Sequence, residues 1–399
     1  MKKLPKFNGE RLKSARLYRG LAVIDVSKKT NISKQSLSLY ENNKNIPNLG
    51  NTMKLSQALG FPNDFFFQMN KFSIKTKSTY FRALLSTNKK DRTAQIIKLE
   101  YLVQIYLVIS NYIDFPKLNI PNVDFKSEDI SYEYEYAEEL AQLEVVAAKV
   151  RGHWGLGTAP IKDLRYTLES NGIMVTRFNT NVEKIDAFSQ KFIINKEDIF
   201  FIVLSNNGQS IAGARFDMSH ELAHILLHPW DEDIELINKD EFKKRERQAD
   251  MLASALLLPR ESFIQDVSHY PTTLEYYKQL KEKWNVSIHA MICRTHQLEV
   301  ITTNQFQYLM RKLSKIGWRN GDPGDITFQL KDTLLQNAVD MLISDRALTG
   351  AEIVAKIKEK GMAMYPNEIE GLLNLKCETL NSVEKKKLNN IQLKLKHQK

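Results

Sequence analysis

The chain has 399 residues, of which 43% are hydrophobic and 26% charged, the balance of an ordinary globular protein with two or three domains. Only Cys293 and Cys377 occur, so no disulfide framework is expected and a reducing, cytoplasmic compartment fits. The most apolar run, residues 101–113, is too short to cross a bilayer, and no apolar core follows the lysine-rich N-terminus. Neither a membrane span nor a signal peptide is therefore expected.

The net charge is unevenly distributed along the chain. Residues 1–70 carry 12 Lys/Arg and 4 Asp/Glu, a net charge of +8 out of +10, so the remaining residues contribute +2. A basic surface confined to one small domain is typical of nucleic-acid binding. A solvated basic face without that function would have the same composition, so the interpretation depends on a motif.

The N-terminal segment divides into five short amphipathic helices separated by turn residues. The second and third are about four residues apart, the spacing of a helix-turn-helix. Ser33 is placed to cap the third helix. The predicted helices are Gly9–Tyr18, Val23–Lys29, Lys34–Glu41, Asn51–Leu59 and Phe61–Phe67.

This segment resembles the Cro/C1 (XRE) DNA-binding domain of phage repressors over its full length, in the stretch NGERLKSARLYRG…VSKKTNISKQSLSLYENNKNIPNLGNTMKLSQALGFPNDFF. The resemblance implies that Lys34–Glu41 is the recognition helix, with Leu37 and Tyr40 packed inward. Gln can pair with adenine and Lys with guanine in the major groove. The implied DNA contacts are Lys34, Gln35 and Ser38 at base edges, and Ser33 and Lys44 near phosphates.

Two positions depart from the XRE pattern. Ala22-Val23 stands where the family usually has Thr-Gln, whose Gln touches a phosphate. Asn43 replaces a turn glycine, and Asn tolerates the left-handed conformation that this turn needs. The bundle is therefore expected to fold as in the family, while a structural or protein-binding use stays open beside DNA binding.

Two further regions carry no recognisable chemistry. Residues 71–130 are predicted as a helical connecting arm, in which the apolar helix Ile96–Ile113 is core. Residues 301–399 are predicted as a helical region that could bind a partner or a second copy, with a frayed Lys-rich end. The helices predicted there are Phe306–Trp318, Thr327–Ile343, Gly350–Lys358 and Asn367–Leu375.

The middle domain, residues 131–300, is predicted to place a small sheet before a helix that carries a metal-binding motif. Short β-branched and aromatic runs separated by turn residues indicate strands. A long helix, Glu133–Arg151, and a shorter one, Ile161–Asn171, precede them. The predicted strands are Ile173–Phe178, Ile185–Ser189, Lys191–Asn195 and Ile199–Ser205.

The stretch RFDMSHELAHILLH contains the H-E-x-x-H motif of His220, Glu221 and His224. Residues four apart lie on one face of an α-helix, so the two imidazoles can share one Zn²⁺. The Glu between them can take a proton from metal-bound water. Five residues alone are a weak signal, because His and Glu are common on helix surfaces.

A third ligand has two candidates. His228 lies about 12 Å along a continuous helix from His220, too far to share an ion, and is better placed at the helix end, facing the last carbonyls. In the predicted helix Lys243–Pro259, Glu246 and Asp250 lie on one face beside an apolar stripe. A carboxylate there is costly unless paired or bound to metal. Glu246 as the ligand, with Asp250 hydrogen-bonded to a ligand imidazole, satisfies both requirements.

This order of residues is similar to that of the gluzincin metallopeptidases, and residues 133–299 resemble the ImmA/IrrE family more closely. The matching pieces are HWGLGTAPIKDL, DAFS, RFDMSHELAHILLH, ERQADMLASALLLP and KEKWNVSIHAMICR, in the family's order. The resemblance implies a zincin-like fold, Zn²⁺ held by His220, His224 and Glu246, and Glu221 as the catalytic base. Ala223 and Leu252 depart from the usual Gly and Phe, and neither is a ligand.

The sequence therefore predicts an α+β, predominantly α protein: an XRE-type domain (1–70), a connecting arm (71–130), a zinc peptidase domain (131–300) and a C-terminal helical region. The leading hypothesis is a DNA-associated zinc endopeptidase that cleaves a repressor-type protein, the substrate pairing with a strand edge such as Ile199–Leu204. Self-cleavage and a homodimer stay open, and no membrane partner is expected. The alternatives are a non-enzymatic transcription factor with a structural or sensing zinc domain, and the partner protein of a toxin–antitoxin or phage-related system.

Overall fold

The computed structural model describes residues 6–69, 75–81, 89–125, 132–178, 187–206, 208–232, 237–319 and 321–381. Over these residues the protein is α+β and mostly helical, as predicted. None of the helices in this part of the chain is long and apolar enough to cross a bilayer. The Lys-rich end beyond residue 381 lies outside the described residues.

The secondary structure follows the predicted elements closely in the first 70 residues and departs from them further on. The fifth predicted helix of the N-terminal bundle is a short 3₁₀ segment, Asn63–Phe67. In chain order the other elements are α1 (Gly9–Tyr18), α2 (Val23–Thr30), α3 (Lys34–Glu41), α4 (Leu49–Leu59), β1 (Lys75–Phe81), α5 (Lys89–Ile109), α6 (Tyr132–His153), α7 (Leu164–Ser170), β2 (Ile173–Phe178), β3 (Ala187–Ile194), β4 (Glu197–Ser205), α8 (Ile211–Leu227), α9 (Lys239–Leu257), α10 (Arg260–Val267), α11 (Leu274–Trp284), α12 (Ile288–Gln297), α13 (Thr303–Lys315), α14 (Leu334–Ser344), α15 (Gly350–Glu359) and α16 (Pro366–Leu373).

The chain folds into two compact units. The first comprises Met1–Phe72, Thr93–Asp114 and Leu335–Lys399, and the second comprises Ser73–Arg92 and Phe115–Leu334. Residues 71–130, predicted as one connecting arm, are thus divided between the units, and so are residues 301–399. The predicted domain boundaries stay predictions.

An aromatic core joins the helix-turn-helix bundle to other helices of the first unit. The Tyr101 ring of α5 stacks on Tyr18 of α1 with centroids 5.3 Å apart, and Phe61 and Phe65 close the cluster. Glu368 of α16 accepts a hydrogen bond from the Tyr18 hydroxyl at 2.6 Å. The apolar helix α5 is core, as the sequence predicted, and the core that it completes includes the helix-turn-helix bundle.

The second unit contains a four-stranded sheet in the order β1-β3-β4-β2. β3 is antiparallel to both β1 and β4, while β2 and β4 are parallel. Asn195 and Lys196 have φ of 51° and 71°, so they form the two-residue turn of the β3–β4 hairpin. α8 packs against β3 and β4, which places the motif helix on the sheet.

Three predictions about the sheet are wrong. The runs Ile185–Ser189 and Lys191–Asn195 are parts of one strand over their described residues, because Gln190 pairs with both neighbouring strands. β1 lies in the segment predicted as a helical arm. Ile199–Leu204 is not an exposed edge, because β4 lies between β3 and β2. Local sequence patterns do not carry strand order, which depends on long-range pairing.

Candidate functional site

The H-E-x-x-H residues lie in the middle of a buried helix. The Ser210 side chain caps α8 by accepting a hydrogen bond from the Gly213 N–H at 3.1 Å. The helix ends at His228, immediately before Pro229, which cannot continue it. His220, Glu221 and His224 are each at most 1% exposed. Charged or polar groups buried this deeply need partners, and the structure provides them.

The two histidines and Glu246 of α9 bring three potential ligand atoms together. His220 Nε2 lies 3.0 Å from His224 Nε2, and the Glu246 carboxylate oxygens lie 3.5 and 3.3 Å from these two nitrogens. Among the described residues, this is the group of His, Cys, Asp and Glu side chains that could hold a metal ion.

The close approach of these groups is compatible with a shared zinc ion. Ligands about 2.1 Å from a tetrahedral Zn²⁺ are about 3.4 Å from one another. The two imidazole nitrogens are 3.0 Å apart, and each lies within 3.5 Å of a different oxygen of Glu246, Oε2 for His220 and Oε1 for His224. Three protein ligands leave a fourth position open, the arrangement of catalytic rather than structural zinc sites.

Asp250 orients the first imidazole. Its carboxylate lies 2.8 Å from His220 Nδ1 and accepts the proton of that nitrogen. His220 Nε2 then keeps its lone pair and faces Glu246. The structure thus places Asp250 in a hydrogen bond with the imidazole of His220. Such carboxylate–histidine pairs fix the tautomer and raise the basicity of a ligand.

A longer chain of hydrogen bonds orients the second imidazole. His224 Nδ1 lies 2.9 Å from His228 Nδ1, and His228 Nε2 lies 3.0 Å from Gln248 Oε1. The Gln248 amide in turn donates to Glu139 of α6 at 2.6 Å. Because Gln248 accepts with its oxygen, His228 Nε2 carries the proton and His228 Nδ1 accepts from His224. His224 Nε2 therefore keeps its lone pair and could bind a metal ion.

The role predicted for the His228 side chain at the helix end is wrong. Its backbone N–H bonds the carbonyl of His224 at 3.3 Å, but the ring points between His224 and Gln248. Burial, and then the proximity of His224, lowers the pKa of His228 well below its ordinary value, which disfavours the predicted cationic role. The His228 ring lies beyond His224 Nδ1, on the side of that imidazole away from Glu246.

Glu221 is buried against the sheet. Its Oε2 accepts a hydrogen bond from the Ser189 hydroxyl of β3 at 2.5 Å, while Oε1 has no hydrogen-bond partner among the described residues. Burial raises the pKa of Glu221 to about 8, against the lowering effect of His220 and Ser189. One carboxylate oxygen is therefore held by Ser189, and the other is buried without a hydrogen-bond partner among the described residues.

A cleft of about 660 Å³ adjoins the ligand group. Glu246 and Asp250 line it on one side. Phe216 of α8 and Phe242 and Met251 of α9 give it apolar walls. A cleft of this volume is large enough for side chains of a peptide.

Sequence reasoning missed Ser189, Gln248, Glu139 and the function of His228. His228 had a readable signal, since its spacing of four from His224 places both rings on one helix face. Ser189 and Glu139 had none, because they reach the site from β3 and α6 through the tertiary fold.

The proposed DNA-contacting residues lie on α3 and just beyond its two ends. Ser33, Lys34, Gln35, Ser38 and Lys44 are all exposed, whereas Leu37 and Tyr40 are buried as predicted. The Ser33 side chain caps α3 by accepting from the Ser36 N–H at 3.0 Å. The structure therefore presents these side chains to solvent on the helix that the sequence assigned to recognition.

The turn after α3 has the conformation expected of its asparagine. Asn43 has φ of 55°, the left-handed region that the family's glycine would adopt. Its Oδ1 also accepts a hydrogen bond from the Gly9 N–H at 2.7 Å. The substitution thus adds a contact between the turn and α1.

These features define the class of the protein: a helix-turn-helix domain on the same chain as a metallopeptidase-like domain. Residues 12–65 match the helix-turn-helix family and residues 168–296 match the IrrE N-terminal-like domain family. The chain therefore carries an XRE-type helix-turn-helix domain followed by an ImmA/IrrE-like domain, the composition of a DNA-binding regulator. No curated protein matches the chain.

Proposed function

We propose that this protein is a DNA-associated zinc endopeptidase that regulates transcription by cleaving a repressor-type protein. The observation that carries the proposal is the convergence of His220, His224 and Glu246, which each offer a ligand atom within 4.8 Å of the other two. Glu221, on the same helix, has a buried carboxylate oxygen without a hydrogen-bond partner among the described residues.

The ligand set would hold Zn²⁺, which polarises a scissile carbonyl and lowers the pKa of a bound water. Asp250 and His228 keep both imidazoles in the tautomer that offers Nε2. Glu221 accepts the proton of the attacking water as the water oxygen bonds to the carbonyl carbon. The carboxyl of Glu221 then gives that proton to the amine nitrogen as the peptide C–N bond breaks.

The substrate would be a protein, and the cleft of about 660 Å³ beside Glu246 has room for side chains of a peptide. A repressor of the helix-turn-helix class is the substrate implied by the resemblance. Ser33, Lys34, Gln35, Ser38 and Lys44 would bring the peptidase to DNA on which such a repressor sits. Zn²⁺ and DNA are thus the proposed cofactor and partner.

The experiment compares wild type with Glu221→Gln in the native host and in purified form. Both should contain about one zinc per chain by elemental analysis, since Glu221 is not a ligand. Proteins cleaved only in wild-type cells, identified by their new N-termini, are the candidate substrates. A full biological effect from Glu221→Gln, or a purified wild-type chain that takes up no zinc, would contradict the proposal.

The alternative of a purely structural zinc site is not favoured by the site itself. A structural site normally has four protein ligands and needs no base beside it. Here three ligand candidates converge, and Ser189 holds one oxygen of a buried glutamate next to them. We therefore keep the enzymatic function as the proposal.

A further inference from the structure

The strand nearest the catalytic glutamate is covered on its outer side. Ser189 of β3 donates its hydroxyl proton to Glu221 at 2.5 Å. β1 runs antiparallel along β3, with Tyr80 opposite Ser189 and Thr79 opposite Gln190. The backbone of β1 therefore passes beside the residue that holds Glu221.

An extended peptide binds a sheet by adding a strand at an edge. β4 has a neighbour on each side, and β2 forms the far edge of the described sheet. Because β3 carries the residue that touches Glu221, its outer side is where a substrate strand would lie next to the reacting groups. β1 occupies that side.

We propose that β1 is a built-in occupant of the peptide-binding edge, and that a substrate pairs with β3 only after β1 has left it. This inference rests on the proposed function, since it takes β3 as the edge that receives the substrate. The enzyme is then held shut by its own chain until β1 is displaced.

The pairing of β1 is suited to being reversible. The register shifts between Thr76 and Thr79, where the ladder has one extra residue on β1. A bulge leaves backbone groups unpaired and interrupts the ladder. Five residues of β1 are paired with β3, a short ladder that a substrate strand of similar length can replace.

The test measures binding of a peptide to the edge of β3. The probe is a fluorescein-labelled peptide with the sequence of residues 73–83, and the protein is the full chain carrying Glu221→Gln so that nothing is cleaved. In this background Thr79→Pro/Tyr80→Pro is compared with the intact strand. In a strand, the backbone N–H groups of successive residues point to opposite sides, so only one of Thr79 and Tyr80 donates to β3. Replacing both by proline therefore removes that N–H in either case. Thr79→Ala/Tyr80→Ala is the matched control, because it keeps both backbone donors.

The proline variant should bind the probe at least about tenfold more tightly than the other two proteins. A tethered strand competes at an effective concentration of the order of 1 mM, which the variant removes. Equal binding by all three proteins, or tighter binding by the alanine control alone, would overturn the inference. A scrambled peptide measures binding that does not depend on sequence.

A second measurement does not depend on the proline variant. In the Glu221→Gln protein with its own β1, saturating unlabelled peptide should speed amide hydrogen exchange in residues 75–81, as the tethered strand is displaced. Unchanged exchange at saturation would overturn the inference. Cleavage of the wild-type chain within residues 75–81 would also do so, because β1 would then be consumed as a substrate.

The outcome for the inference is separable from that for the proposed function. Binding is read without catalysis, so a protein that cleaves nothing can still show the tenfold difference. Conversely, the protein could be an active zinc peptidase and still bind the probe equally with and without β1 paired. That result would refute the inference that β1 occupies the peptide-binding edge, and would leave the proposed function standing.

Discussion

His224 Nδ1 lies 2.9 Å from His228 Nδ1, and the pair is continued by Gln248 and Glu139. The Glu139 carboxylate also pairs with Arg247 at 3.0 Å, which fixes the outer end of the chain. The direction of each hydrogen bond follows from the Gln248 amide. A residue that does not touch the metal position thereby sets which nitrogen of His224 is offered as a ligand.

Replacing His228 by leucine should weaken zinc binding without removing a ligand. Loss of such a partner to a ligand imidazole typically costs about 10–100-fold in metal affinity. Competition against a chromophoric chelator measures the affinity. His269→Leu is the control, because His269 is exposed and bonds only the Asp266 carbonyl among the contacts described for it. Unchanged zinc affinity in His228→Leu would show that the chain of hydrogen bonds does not position His224.

Ser189→Ala should affect the proposed base Glu221 without affecting zinc binding. The substitution removes the hydrogen bond at 2.5 Å that holds Glu221 Oε2. We expect zinc content to stay at the wild-type level while kcat falls by about tenfold, a fraction of the total contribution of a positioned base. Cleavage of an identified substrate, at equal zinc loading, is the measurement. Loss of zinc in parallel with activity would mean that Ser189 supports the fold of the site instead.

The candidate metal-binding residues could be predicted from the sequence because they follow helical periodicity. His220 and His224 are four apart on one helix, and Glu246 and Asp250 are four apart on the next, so each pair was placed on one face from spacing alone. The N-terminal bundle could be predicted for a related reason, because Ser33 caps α3 and Asn43 forms the turn after it, both through local chemistry that the structure reproduces.

The remaining features could not be read because they depend on tertiary pairing. The local sequence of residues 75–81 does not indicate that they pair with β3. This polar, lysine-containing run therefore falls within the segment predicted as a helical arm. Ser189 and Glu139 meet the site only because β3 and α6 pack around α8 and α9. Strand order, and with it the covered edge, is decided by contacts distant in sequence.

Breaking the Arg16–Glu41 ion pair should destabilise the N-terminal bundle. Two guanidinium nitrogens donate to the two carboxylate oxygens at 2.6 and 2.8 Å, and both side chains are at most 10% exposed. Glu41→Ala leaves a buried unpaired cation, which costs about 3–5 kcal/mol. Hydrogen exchange of the α1–α4 amides measures the loss, and Lys13→Ala, an exposed change on α1, should have almost no effect.

The four tryptophans provide an internal control for that experiment. Trp154, Trp230, Trp284 and Trp318 all lie in the second compact unit, so their emission reports on that unit alone. We expect the urea transition followed by tryptophan emission to be unchanged in Glu41→Ala. A shift of that transition equal to the loss measured in α1–α4 would contradict the assignment of the effect to the helix-turn-helix bundle.

The exposed residues of α3 and its following turn should divide into two kinds of DNA contact. A bound sequence is first selected from random duplexes with the full chain. Gln35→Ala should then cost about 1–3 kcal/mol of binding free energy on the selected sequence and little on unrelated DNA, because an amide pairs with a base edge.

Lys44→Ala should weaken binding to all sequences equally and reduce the slope of log K against log salt by about 1, since it removes one phosphate contact. Fluorescence anisotropy over a series of salt concentrations measures both, with Lys13→Ala as the control for a lost charge on the same bundle. Equal losses from Gln35→Ala on selected and unrelated DNA would remove α3 as the element that reads sequence, and would favour a protein-binding use of the bundle.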